Sequence, residues 1–335
     1  MIDFRYHLVS IVSIFVALAV GIVLGAGPLQ GGIGTQLTDQ VSQLRQDMET
    51  LRTQRDDNAK TVTAQEGYAA AVASSALSGR LKGQTVALLV SSDAAGKFAE
   101  LTTTALQQAG ATVTTVVTLK DAFRAPESAP DRLTAATTAA AAMGLTPTSD
   151  ADELLAQVLT SALVQRPAGS GTGPTTPGLP SASSTRVSGE GTGQLASASA
   201  LRTLGSAGLL DLTNDNPAPA SLAVVLGGPI SGTTTSVTAQ TATMTALLRV
   251  LASATGGVVV GSGAPTTAVG QETTTNLVTA VRADGRLAGS LSSVDHADSV
   301  VGAGVVVLAL AAQEGGRAGH YGISADAKAD VPPTT

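Results

Sequence analysis

The run QTVALLVS (84–91) decides how most of this chain reads. It is short and almost continuously apolar, the pattern of a parallel strand buried on both faces and not of a strand with one wet side. Residues 97–109 follow, with Phe98, Leu101, Ala105 and Leu106 at helical spacing and Gly110 as the stop. ATVTTVVTL (111–119) is a second, β-branched run. Strand, helix and strand in that order open a βαβ unit.

Toward the C-terminus the pattern predicts helices over 131–142 and 150–165, with Asp150 and Asp152 at the amino end of the second, where the dipole favours them. RPAGSGTGPTTPGLPSASSTRVSGEGTGQ (166–194) is Pro-, Gly-, Ser- and Thr-rich with little to bury, and reads as a disordered insertion. Order resumes with a helix over 195–206, strands over 209–213 and 221–226, and a helix over 237–254. A strand over 257–261, a helix over 272–282, a short strand around Leu291 and an apolar helix over 299–313 complete the pattern. The tail 325–335, ending Pro-Pro-Thr-Thr, is expected to be disordered. The fold class is thus α/β: a Rossmann-like domain with a mainly parallel sheet, formed by residues 83–165 and 195–324.

Toward the N-terminus the periodicity changes. Leu37, Val41, Leu44, Met48 and Leu51 are spaced four, three, four and three apart, a heptad seam with Val41 and Met48 at a and the leucines at d. Gln, Asp, Arg and Glu fill the outer positions. Arg55 and Asn58 weaken the seam before Val62, and an Ala-rich stretch carries the coiled-coil helix (37–78) to a stop at Gly79. This segment is expected to pair as a homodimer or with a partner's helix. The alternative is an amphipathic helix lying on its own domain.

Before it lies LVSIVSIFVALAVGIVLGAGPL (8–29), without a formal charge from Arg5 to Asp39. About 20 apolar residues, at roughly 1.5 Å each, match a hydrocarbon core about 30 Å thick. A single transmembrane helix over 8–29 is therefore expected. Arg5 places residues 1–7 in the cytoplasm and the remainder outside it by the positive-inside rule. The alternative is a cleaved signal peptide, since Gly25-Ala26-Gly27 offers small residues, although a secretory apolar core is usually about 7–15 residues long.

Composition narrows function. The net charge of −6 comes without any basic stripe, which excludes the usual nucleic-acid footprint. With no Cys there is no disulfide, thiolate metal site or Cys nucleophile. Gly227-Gly228-Pro229, Gly261-Ser262-Gly263 and the 91–96 loop each follow a strand, where α/β folds hold ligands. None matches a nucleotide fingerprint, so Gly227, Gly228, Gly261 and Gly263 are ligand-loop candidates whose plainer reading is a tight turn. Asp295, His296 and Asp298, with His320 downstream, are the candidate metal or base cluster. Their plainer reading is capping of the helix that follows. No catalytic set is recognised, and the chain is not expected to be an enzyme.

MIDFRYHLVS (1–10), the coil, GRLKG (79–83), SVDHAD (293–298) and AGHYG (318–322) together resemble the actinobacterial copper transport outer-membrane protein family, MctB. The resemblance implies an envelope protein of copper transport or homeostasis, with copper implied by that resemblance alone. It also extends to a related corynebacterial division protein with a membrane anchor and a coiled coil. An outer-membrane pore would need a closed barrel, which the βα alternation does not supply. Two readings follow: an envelope copper protein acting through partners, and a coiled-coil scaffold that binds a membrane partner in division or cell-wall regulation.

Overall fold

The computed structural model describes residues 4–25, 29–165, 190–214, 217–263 and 273–333. It divides into two compact units, Met1–Gln65 and Glu66–Thr335.

The first unit is helical. Helix α1 (Phe4–Gly25) contains a 21-residue apolar span, Arg5–Gly25, none of it buried by protein. Ser13 donates its hydroxyl to the Val9 carbonyl one turn back, so the polar group is satisfied within the helix. The helix starts four residues before the expected 8–29 boundary and stops at Gly25, a poor helix former. Leu29 already belongs to α2 (Leu29–Leu77), which therefore begins eight residues ahead of the expected 37. The heptad residues Leu37, Val41, Leu44, Met48 and Leu51 are all exposed along it, between 41% and 63%. Thr50, Thr53, Thr61 and Thr63 each bond back to a carbonyl four residues earlier.

In the second unit the end of α2 packs through Leu77, which is buried, and Gly79 ends the helix at a φ of 75°. That left-handed value favours Gly. Next come β1 (Thr85–Ser91), α3 (Lys97–Gln108), β2 (Thr112–Leu119) and the short α4 (Asp121–Arg124). Helices α5 (Ala129–Met143), α6 (Ala151–Leu163) and α7 (Glu190–Ser206) lead to β3 (Leu210–Leu212), β4 (Leu222–Gly227) and β5 (Pro229–Gly232). The chain continues through α8 (Thr234–Ala254), β6 (Val258–Ser262), β7 (Thr273–Asn276), α9 (Leu277–Ala283) and α10 (Gly285–Ser290). It closes with β8 (Ser292–Val294), α11 (Val300–Glu314) and β9 (His320–Tyr321).

Seven of the described strands form one sheet in the order β3-β2-β1-β4-β6-β8-β9, parallel except for β3 against β2. Alternate side chains of each central strand enter two separate cores. Ala87 and Leu89 of β1 and Val225 of β4 face α5–α9, whereas Leu88, Val90 and Val224 face α3 and α11. Burial on both faces is why these runs read as continuously apolar.

Four expectations are corrected. The helix expected over 272–282 begins as strand: Thr273–Asn276 pairs antiparallel with Pro229–Gly232. Three successive β-branched threonines favour the extended state, and the Asn276 side chain accepts the Thr279 N–H at 2.8 Å, so α9 starts only at Leu277. The last five residues of the expected disordered insertion, 190–194, are the first turn of α7, while 166–189 lie outside the described residues. The tail expected to be disordered over 325–335 is tied down as far as it is described. Lys328 donates its N–H to the His320 carbonyl, Ala329 bridges to Tyr321, and Asp326 pairs with Arg282. Residues 334–335 are outside the described set. The cap of α11, finally, is neither Asp295 nor Asp298. Ser299 fills that role, its Oγ accepting the Gly302 N–H at 2.9 Å.

Candidate functional site

Parallel strands bring their carboxyl ends to one edge of a sheet, and ligands of open α/β folds settle outside that edge where the strand order reverses. Here the order reverses between β1 and β4, and a cleft of about 620 Å³ opens at this edge. The three loops singled out in the sequence meet there: Asp93–Ala95 after β1, Gly228–Pro229 after β4, and Ser262–Gly263 ending β6.

Two of the four candidate glycines line the cleft and two do not. Gly228 permits the Asp93 carboxyl to lie against the backbone, since a Cβ there would fall 2.4 Å from Asp93 Cγ. Gly263 does the same for Asp298, whose Oδ2 would be 3.1 Å from an added Cβ. Gly227 and Gly261 instead lie within β4 and β6. A Cβ on Gly227 would come 3.1 Å from Leu277, and one on Gly261 2.8 Å from Leu226. Both are packing glycines.

The cleft also takes residues that no motif flagged. Lys97 and Phe98 come from the first turn of α3, and Asn276 and Thr279 from the start of α9. Gly96 is the N-cap of α3 at a φ of 82°, and among the described residues no side chain caps that terminus. Phe98 is buried in the wall, and Ser262 carries a buried hydroxyl without a partner among the described residues. Asp93 is held by Arg124 Nη2 at 3.3 Å. Lys97 and Asp298 are exposed in the cleft, and neither side chain carries a hydrogen bond or ion pair among the described residues. A helix opening just beyond a strand, with Lys in its first turn, was the available signal for Lys97. Asn276 was legible only as a cap.

The Asp295, His296, Asp298 and His320 cluster is not one ligand set. Among the described residues no group of three His, Cys, Asp or Glu side chains is placed to hold a metal ion. Asp298 belongs to the cleft. Asp295 is buried and belongs to a clasp built on Arg282, which donates Nη1 to Asp295 Oδ2 (3.0 Å) and Asp326 Oδ1 (2.8 Å). Arg282 also donates Nη2 to the Tyr321 carbonyl and Nε to Ser293 Oγ. The Ile323 N–H and His296 Nδ1 each lie 2.8 Å from Asp295 Oδ1. Burial alone would raise the Asp295 pKa, but the bonds from His296, Ile323 and Arg282 outweigh it and hold the carboxyl below its ordinary 3.8.

His320 is buried with Nδ1 2.9 Å from Ser293 Oγ. Burial first, and then the Lys328 and Arg282 charges, push its pKa below the ordinary 6.5. SVDHAD and AGHYG, the most distinctive stretches of the sequence, therefore close β8, β9 and the tail onto one arginine.

Comparison with known proteins agrees with the ends of the chain. A profile of the family described as copper transport outer membrane protein, MctB, matches residues 1–332. Proteins named copper transporter MctB from Mycobacterium bovis and Mycobacterium tuberculosis are 30% identical to it over 129 residues. That alignment covers 38% of this chain and 41% of each relative, so the match spans under half the length of those relatives.

Proposed function

This chain belongs to the MctB family of copper transport proteins, and from that premise we propose that it is a membrane-anchored envelope protein acting in copper homeostasis through protein partners. It works as a parallel dimer, with its N-terminus in the cytoplasm and its α/β unit outside, and it is not an enzyme. The observation that carries this reading is the exposed heptad seam on α2. A run of Leu, Val and Met in solvent at a and d positions is stabilised when a second helix covers it. The occupant is a second copy. In a parallel in-register pair, Asp47 at g stands opposite Arg52 at e of the other chain, an attractive contact. Gly21 and Gly25, one turn apart on α1 with open space around them, permit close approach of two spans in the same register.

Copper is cargo that reaches this chain through a partner in this reading, because the donor set fits it poorly. Cu(I) selects thiolate and thioether ligands and Cu(II) selects imidazole. The sequence has no Cys, and of its three His, His320 is buried against Ser293 while His296 is bonded to Asp295. A specific observation also favours the second reading, a scaffold in division or cell-wall regulation: the seam and the apolar span need no metal to work.

The absence of native Cys makes a clean test of the dimer possible. Leu44→Cys at a d position is expected to form an intermolecular disulfide under mild oxidation, and Gln46→Cys on the outer face is not. Equal crosslinking of both would overturn the parallel seam. Purifying the detergent-solubilised full chain, with metal analysis and mass spectrometry of co-purifying proteins, separates the roles. Stoichiometric copper without a protein partner would overturn partner-mediated action. Septal localisation with a partner indifferent to copper would favour the scaffold.

A further inference from the structure

We propose that the cleft at the carboxyl ends of β1, β4 and β6 binds a small zwitterionic ligand of amino-acid to short-peptide size, its carboxylate at Lys97 and the amino end of α3 and its ammonium at Asp298. The 12-residue α3 presents its positive end at the cleft without a side-chain cap among the described residues, which leaves backbone N–H groups for an anion. Lys97 adds a full charge at the same place and is not engaged by another described residue.

An independent observation points to a ligand here. Ser262 lines the cleft, and its hydroxyl is buried without a partner among the described residues, whereas buried polar groups in folded proteins are nearly always bonded. Asn276, also in the lining, accepts the Thr279 N–H at its Oδ1, and its amide NH2 is unengaged among the described residues and available to a ligand carbonyl. Asp298, also in the lining, lies against Gly263 with its carboxylate unengaged among the described residues, a counter-charge for an ammonium. Phe98, Ala94 and Pro229 supply an apolar wall for a small side chain. The volume of about 620 Å³ exceeds what a single small amino acid fills and lies within the range of small-molecule sites.

Other chemistries fit less well. A polyphosphate would meet two carboxylates, Asp93 and Asp298, of which Arg124 offsets only the first. A bare metal ion would find two carboxylates and no third acidic or imidazole ligand among the described residues. A ligand carrying one charge of each sign uses both Lys97 and Asp298.

The test is isothermal titration of the detergent-solubilised full chain with a panel of dipeptides, of both chiralities and with apolar and polar side chains, starting from alanyl-alanine. Each is paired with its N-acetylated and C-amidated form, and inorganic phosphate is run alongside. At least one free dipeptide should bind saturably, and each blocked form should bind about tenfold more weakly, as loss of one charge-assisted contact implies. Lys97→Met should erase the penalty of amidation and leave that of acetylation, while Asp298→Asn should do the reverse. Circular dichroism of both variants checks that they fold. The proposal is overturned if no dipeptide saturates, if blocked and free forms bind alike, or if phosphate alone binds as tightly as the best dipeptide.

Discussion

Leucine and valine have opposite fates in the two units of this chain. In Met1–Gln65 the described large apolar side chains face outward, with Phe15 65% and Leu44 60% exposed, whereas in Glu66–Thr335 Leu154 and Leu159 are wholly buried. At roughly 25 cal/mol per Å² of apolar surface, neither arrangement is neutral in water. The α/β unit excludes water by its own fold. The helical unit leaves its surface exposed, and in the proposed reading lipid covers α1 and a second helix covers α2. The difference turns on pattern more than on composition. Two-sided burial in a sheet needs uninterrupted apolar runs, while a single span and a heptad seam need one long run and one stripe.

If the second unit is self-sufficient, substitutions inside it should be severe and should owe nothing to α1 or α2. The largest effect is expected at Arg282. Arg282→Ala leaves Asp295, 2% exposed, without its charge partner, and breaking one side of a buried pair destabilises by about 3–5 kcal/mol. Chemical denaturation should show the drop, and hydrogen exchange should show lost protection at 320–329, where the tail is held. Retained protection there would detach the clasp from the arginine. Leu159→Ala, in the core between α6 and the sheet, should lose roughly 3 kcal/mol by burial and cavity effects together. A loss under about 1 kcal/mol would mean that this core is not close-packed.

A smaller effect separates the units by pH. His320 is held below 6.5 when folded and regains an ordinary value when unfolded. Between those two values the unfolded chain binds the extra proton, so stability is full above about pH 6.5 and falls as the pH drops below it. Asp295, lowered from 3.8, acts in the same direction at lower pH: its contribution holds above the ordinary Asp value and is lost as the pH falls through the lower folded one. Denaturation midpoints at pH 7.5 and pH 5.5 should therefore differ in the native chain, and the gap should shrink in His320→Gln. An unchanged gap would place the titrating group elsewhere.

The units also differ in how much of them the sequence disclosed. The strand at 84–91 was legible because burial on both faces leaves no polar alternation to misread. The stops at Gly79 and Gly110 were legible because both adopt positive φ, at 75° and 84°. The Thr273–Asn276 strand was hidden because its partner, Pro229–Gly232, is far away in sequence and Glu272 looked like the start of a helix. The clasp was hidden for a related reason: Arg282 and Asp326 are 44 residues apart, and only β8 and β9 lying side by side bring them together. The cleft was half visible. Its loops could be found one at a time, but their convergence depends on the order β1-β4-β6, which no local pattern encodes.

The sharpest use of the contrast is a substitution that should do nothing to the α/β unit. Leu44→Glu with Met48→Glu places two charges in the heptad seam, where each would be desolvated against a neighbouring chain. If the seam serves only association, the pair should abolish Leu51→Cys crosslinking in an otherwise native background. The α/β unit's denaturation midpoint should then move by no more than the roughly 0.5 kcal/mol typical of surface changes. Leu159→Ala should give the mirror image, a lower midpoint with crosslinking intact below it. Were the seam variant instead to lower the midpoint by as much as a core truncation, Leu44 and Met48 would be covered by their own chain. The second unit could then no longer be regarded as self-sufficient.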